Sequence, residues 1–341
     1  MGRGRAVGGV LLGALFASAS PSRADEAQAH SFLRTTVAFT DAEVAAVDAG
    51  EVVTKSLPSS DKPEIAAFGA VRLRGDVAAC LGRLRDGVTS RRGPSVLAVG
   101  RFSRPPKVED LAGLTLDDGD FKGARECRPG DCELKLARSA MEQMQREIDW
   151  KAPDAQARAT AVLKSMLVDY VAAYMQGGTT AMAIYVDKDK PLDTPAEFRK
   201  LLAASPYLVQ YVPAFYRYVE DYPKGTLEGA EDAFYWVKDK FGPKPTLSVY
   251  HTTIWANPAE AGRAIVASKQ IYASHYFQAG LDVVALLPAG ADAFYVFDVY
   301  RVRIDPPTGM LSGVILGKIR GGVEQGVADG LKTARARANA K

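Results

Sequence analysis

TLSVYHTTIW (246–255), RAIVASKQIYA (263–273), YFQAGLDVVALL (276–287) and AFYVFDVYRVRI (293–304) decide the fold of this chain, together with GMLSGVILGKIRGGVEQGVADGLKTARAR (309–337) behind them. The four short runs are rich in β-branched and aromatic residues. Asn257-Pro258 and Pro288-Ala-Gly290 supply turns between them, so they predict consecutive antiparallel strands. In the last segment Leu311, Ile315, Ile319, Val323, Val327 and Leu331 step by four, which predicts one long amphipathic helix. Gly309, Gly313, Gly317 and Gly321 also step by four, as do Gly322, Gly326 and Gly330. Each glycine costs a helix roughly 1 kcal/mol against alanine, so the ladder predicts that the backbone approaches the sheet closely. A membrane helix-pairing motif is the rival, but Lys318, Arg320, Glu324 and Asp329 interrupt the apolar run. A curved sheet closed by one helix encloses an apolar cavity.

One polar residue interrupts an apolar face of each strand. Leu247 and Val249 share a face with His251. Ile265, Ala267, Ile271 and Ala273 share one with Lys269. Phe277, Ala279, Leu281 and Val283 share one with His275, and Phe294, Val296, Tyr300 and Val302 share one with Asp298. If these faces line the interior, His251, Lys269, His275 and Asp298 form a polar patch that orients a bound molecule. Lys269 and Asp298 must then pair with each other or with a ligand, because a buried lone charge is costly. Strand ends, bulges or an exposed face are the alternative account of the four. No ligand spacing marks a metal site or a catalytic constellation.

Upstream, Asp41–Asp48 predicts a short helix, Glu51–Leu57 and Ile65–Leu73 strands, and Pro94–Phe102 a third strand. Asp76 is an N-cap for a helix through Leu84. Residues 134–242 have a different character. Leu134–Trp150 and Ala155–Met175 carry apolar residues at helical spacing, and Gly177-Gly178 stops the second. Ala181–Val186 predicts a short strand, and Thr194-Pro195 opens a further helix. Tyr207, Tyr211, Phe215, Tyr218 and Tyr222 make an aromatic stripe, read as core packing or as a ligand-facing wall. The expected organisation is a leader over 1–24, the first part of an α+β domain over 25–133, a helical insertion over 134–242, and the strands and closing helix over 243–341.

The leader is read from a basic head, Met1–Arg5, an uncharged run from Ala6 to Ser20, and the small residues Ser22 and Ala24 before Asp25. It predicts export to the periplasm or the exterior; a disordered basic leader or an uncleaved anchor is the alternative. The chain has 43 basic and 40 acidic residues, and positions 1–24 hold three arginines and no acid, so the remainder balances at 40 and 40. No basic field is left to attract nucleic acid. No later run is apolar enough to span a membrane. Cys127 and Cys132 flank Arg-Pro-Gly-Asp, a turn sequence, which predicts a disulfide in an oxidising compartment or else two free thiols. Cys80 lies in a helix-like apolar context and is expected to be a buried thiol, while His30 is expected to be solvated.

Ile65-Ala-Ala-Phe-Gly-Ala-Val-Arg-Leu73 leading into the helix Asp76–Leu84, with Phe294–Leu331 at the other end, resembles the START/SRPBCC helix-grip superfamily in architecture. The resemblance covers about half of the chain after the leader and carries no diagnostic motif. It implies a curved antiparallel sheet gripping the C-terminal helix and a cavity for a lipid or other hydrophobic molecule; some members are cyclases or hydrolases. There is no phosphate loop, dinucleotide fingerprint, H-E-x-x-H or G-x-S-x-G, and no cofactor is implied. Three readings follow: a non-enzymatic carrier or sensor of a hydrophobic ligand, a hydrolase or cyclase using His251 or His275 as general base, and an envelope scaffold without a ligand.

Overall fold

A computed structural model of the chain describes residues 21–87, 95–256 and 262–339. Positions 1–20 of the expected leader, the Asn257-Pro258 turn and Pro94 lie outside those residues. The described chain is α+β. Eight strands form one curved antiparallel sheet in the order β1-β2-β10-β9-β8-β7-β6-β3. They are β1 Val53–Ser56, β2 Glu64–Arg74, β3 Val96–Phe102, β6 Ala230–Asp239, β7 Thr246–Ala256, β8 Ala264–Ala273, β9 Phe277–Pro288 and β10 Ala293–Ile304. The two-residue strands β4 Ile184–Tyr185 and β5 Leu192–Asp193 pair only with each other.

The four C-terminal strands are sheet neighbours in chain order, as their turns require. β2 then pairs along the whole of β10, with Asp298 opposite Gly69, and places the N-terminal part of the chain beside its end. On the far side β7 pairs with a strand that the sequence reading absorbed into the helical block. The segment AEDAFYWVKD has an unbroken aromatic and aliphatic centre rather than clean alternation, and it forms β6. The block expected over 134–242 therefore ends in the sheet.

The helices explain why both strand faces are apolar. One face carries the terminal helix Ser312–Asn339. The other carries the N-terminal helices Pro21–Thr35 and Asp41–Asp48, then a larger helical layer built on Ala155–Gly177, Thr194–Ala203, Pro206–Tyr211 and Pro213–Asp221. In that layer Leu163, Leu167, Val171, Tyr174, Phe198 and Phe215 are buried against Phe234, Val249, Ile265, Ala267 and Leu281. Each such side chain adds about 1.5–3 kcal/mol by leaving water. The helix expected over Leu134–Trp150 is shorter, Arg138–Glu147. The aromatic stripe does not run on one helix: Pro213, which has no N–H to donate, separates two short helices. Asp76 accepts a hydrogen bond from the Ala78 amide and caps the helix Val77–Arg85 as expected.

The terminal helix corrects one expectation. None of Gly313, Gly317, Gly321, Gly322, Gly326 or Gly330 approaches the sheet; a Cβ at each would meet nothing within 4 Å. The close approach is made by a sheet glycine instead. A Cβ on Gly69 would lie 2.5 Å from Leu331 Cδ1 and 2.6 Å from Val327 Cγ1. The predicted stripe is buried only there. Val327 and Leu331 are enclosed, Ile319 and Val323 are half-buried, and Leu311 and Ile315 are exposed. The C-terminal part of the helix is seated on β2, Leu316 and Ile319 pack half-buried on Ile65, Val302 and Ile304, and only the first turn is exposed.

Candidate functional site

A cavity of about 880 Å³ opens between the terminal helix and the sheet. Ile315, Ile319, Gly322, Val323, Gly326 and Val327 form the helix wall, spaced by three and four so that one face looks inward. The absent side chains of Gly322 and Gly326 leave that wall low. Phe241, Tyr276, Phe277 and Ile304 also line it. Alternate positions of the strands supply the floor: Tyr250 from β7, Asp282 from β9, Asp298 and Tyr300 from β10, and Asp239 from the end of β6. Tyr300 is the register partner of Asp282, so Asp298 lies diagonally across from Asp282. The two carboxyls share a hydrogen bond.

This floor is acidic and enclosed. Burial pushes the Asp298 carboxyl well above the usual carboxylate range, and the charge of Asp282 and the hydrogen bond to it push the same way. Burial raises Asp239 to about 6. Tyr300 is held protonated by burial and by the carboxyls around it. Asp298 Oδ1 and Asp239 Oδ1 are closed off from solvent with no hydrogen-bond partner. Native interiors seldom leave buried polar atoms in that state.

The four residues expected to converge do not. Asp298 faces the cavity, whereas His251, Lys269 and His275 lie on the opposite side of the sheet, under the helical layer. The expected Lys269–Asp298 pair is therefore absent. Its geometric premise fails because both faces of the sheet are covered, so an apolar alternation marks neither as the inner one. His251 and Lys269 are cross-strand partners with separate neighbours. His251 Nε2 bonds Asp232 Oδ1 at 2.8 Å, the Tyr174 hydroxyl lies 3.1 Å from Nδ1, and the ring stacks on Phe234. With the Tyr174 hydroxyl donating, this geometry fits a neutral ring that has its proton on Nε2. Burial lowers the His251 pKa against the opposing pull of Asp232. Lys269 Nζ donates to Thr179 Oγ1 at 2.6 Å and sits 3.8 Å over the Phe198 ring; burial pulls its pKa far down. His275 lies in the turn after β8, between Asp120 Oδ1 at 2.9 Å and the Glu133 carbonyl at 3.1 Å. Among the described residues the cavity wall contains no histidine.

Asp282 and Asp239 escaped the sequence reading. Asp282 interrupts the face of Gly280, Val284 and Leu286 just as Asp298 interrupts its own, but the other face of β9 drew attention because it is more continuously apolar. Asp239 sits on the unrecognised strand.

Other expected features have definite places. Cys127 and Cys132 are bonded, with Cα atoms 4.4 Å apart, and Cys80 is a buried thiol. His30 is not free in solvent: its Nε2 lies 3.0 Å from Asp48 Oδ1 and 3.1 Å from the Tyr295 hydroxyl. Tyr207 and Tyr211 of the aromatic stripe pack on Phe32 and line a second, smaller cavity of about 260 Å³ on the helical side. It falls below the ~300–1,000 Å³ usual for ligand pockets. No helix among the described residues is long and apolar enough to cross a membrane.

No protein-family model matches the chain, and no curated protein matches it in sequence. Among solved structures, norcoclaurine synthase from Thalictrum flavum in complex with dopamine and hydroxybenzaldehyde aligns at 15% identity and a TM-score of 0.20, over 41% of this chain and 82% of that one. A truncated form of the same enzyme aligns at 15% identity and a TM-score of 0.21, over 41% and 88%. Superpositions this loose carry no weight for shared fold or activity.

Proposed function

We propose that this protein is an exported, non-enzymatic carrier or sensor that holds a hydrophobic or lipid-like molecule between its terminal helix and its sheet. The observation that carries the reading is the cavity itself. Its volume of about 880 Å³ suits a ligand of lipid or drug size, and its walls are apolar around a few convergent polar groups. The helix seals it at one end only, through Val327 and Leu331 on Gly69, which leaves the exposed Leu311–Ile315 end as the side for entry. A hydrolase or cyclase working through His251 or His275 finds no support, because both rings are buried on the other face. Export rests on the leader composition and on the Cys127–Cys132 bridge, which an oxidising compartment favours.

Organic extraction of protein purified from its native host, followed by mass spectrometry, tests the reading. A co-purifying apolar molecule is expected, and Val323→Trp, which fills the cavity, should exclude it. A pure protein that yields no such molecule and takes up no solvatochromic hydrophobic dye would return the chain to the scaffold reading. For export, the intact mass should begin at Asp25.

A further inference from the structure

The polar groups on the cavity floor have a shared character that a purely apolar ligand leaves unused. The buried atoms without partners on this face include Asp298 Oδ1 and Asp239 Oδ1, and beside Tyr250 the Gln270 Oε1 is likewise unpartnered while its amide donates to Ser248 and Tyr250. All three are oxygens able to accept, and the two aspartates line the cavity while Gln270 lies behind Tyr250. What is missing is a donor with several N–H groups, and an ammonium has three. Charge agrees with this. Asp239, Asp282 and Asp298 converge on the cavity, and Lys318, the lysine of its wall, is exposed. Asp305, also at the wall, is held by Lys135 on the other side.

We propose that the cavity selects an apolar molecule ending in a primary amine, with the ammonium seated on Asp298 and Asp282 and within reach of Asp239. The proposal rests on the ligand-binding reading above and adds the class of headgroup. It also fixes a proton balance. In the empty cavity the Asp282–Asp298 pair keeps a proton, since two carboxylates in one enclosed site repel each other. An entering ammonium takes over the neutralising role. The carboxylic acid loses its proton to solvent, a carboxylate–ammonium pair forms, and no other bond changes.

Calorimetric titration of the full chain at pH 7 with dodecylamine, dodecan-1-ol and dodecanoate tests this. The amine should bind about tenfold or more tightly than the alcohol, the margin of a charge-assisted hydrogen bond. Dodecanoate should bind most weakly. Amine binding should release a proton, visible as a heat that varies with the ionisation enthalpy of the buffer, and alcohol binding should release none. Asp298→Asn should erase the amine preference over the alcohol and the proton release. If that variant does not fold, Asp239→Asn should lower amine affinity more than alcohol affinity. Equal binding of amine and alcohol, or preference for dodecanoate, would overturn the headgroup assignment and leave the apolar cavity standing. Failure of every alkyl probe would overturn both.

Discussion

The two faces of the sheet treat their buried polar groups differently. Under the helical layer the charged and ring groups are partnered, although Arg301 Nε is left without one: His251 has Asp232 and Tyr174, Lys269 has Thr179 and two aromatic rings, His275 has Asp120, and Arg303 has Glu197 and Asp61. Under the terminal helix, Asp298 and Asp239 keep an oxygen that nothing meets. A satisfied buried network specifies a packing arrangement. An unsatisfied one beside empty volume is a place for something else to bind. The first face is core, and the second is the one on which the proposed ligand would sit.

The largest effect should come from breaking a partnership on the packed face. Asp232→Ala removes the acceptor for His251 Nε2 and for the hydroxyls of Tyr218 and Thr253. Each buried donor left without its acceptor costs about 1–3 kcal/mol, a loss that urea unfolding at neutral pH will measure. A loss under about 1 kcal/mol would mean that water enters that site freely, and the contrast between the faces would blur.

On the cavity face the dependence is on pH. Asp239 has its pKa raised to about 6 from an ordinary 3.8, so the folded chain holds a proton that the unfolded chain has released. Stability from this group is complete below about pH 4 and is lost as pH rises through 6, by up to about 3 kcal/mol. Asp298, raised further, acts in the same direction at higher pH. Asp239→Asn should flatten the decline between pH 4 and 6 in chemical denaturation, and an unchanged slope would count against enclosure of that carboxyl.

Gly69→Ala tests the seam where the helix closes the cavity. Its new methyl must displace Leu331 and Val327, with an expected cost of about 1–3 kcal/mol and faster release of any bound dye. Alanine at Gly317 or Gly321 should instead stabilise, since space is open there and alanine favours a helix by about 1 kcal/mol. The smallest change is expected from Lys269→Met. With no carboxylate partner for Lys269 among the described residues, an apolar chain of similar length should shift stability by less than about 1 kcal/mol in either direction. A loss several times larger would show that the contact with Thr179 or the aromatic rings holds the helical layer in place.

Local chemistry was legible in the residues themselves. Period-two runs bounded by Pro, Gly and Asn place β7 to β10 within a residue or two, Asp76 caps its helix, and the turn between Cys127 and Cys132 brings the thiols together, because each depends on neighbours in the chain. The same signals were ambiguous where a segment lacked clean alternation, as in β6, or where a stripe was read across Pro213. Tertiary structure alone decided which side of each strand faces the cavity. Alternation states that two faces exist, and here helices cover both, so Lys269 and Asp298 looked equivalent in sequence although they lie on opposite sides. It decided too that Gly69, rather than the helix glycines, is the point of close approach. Glycine spacing records where side chains are absent, and only the packed chain shows whether another atom fills the space.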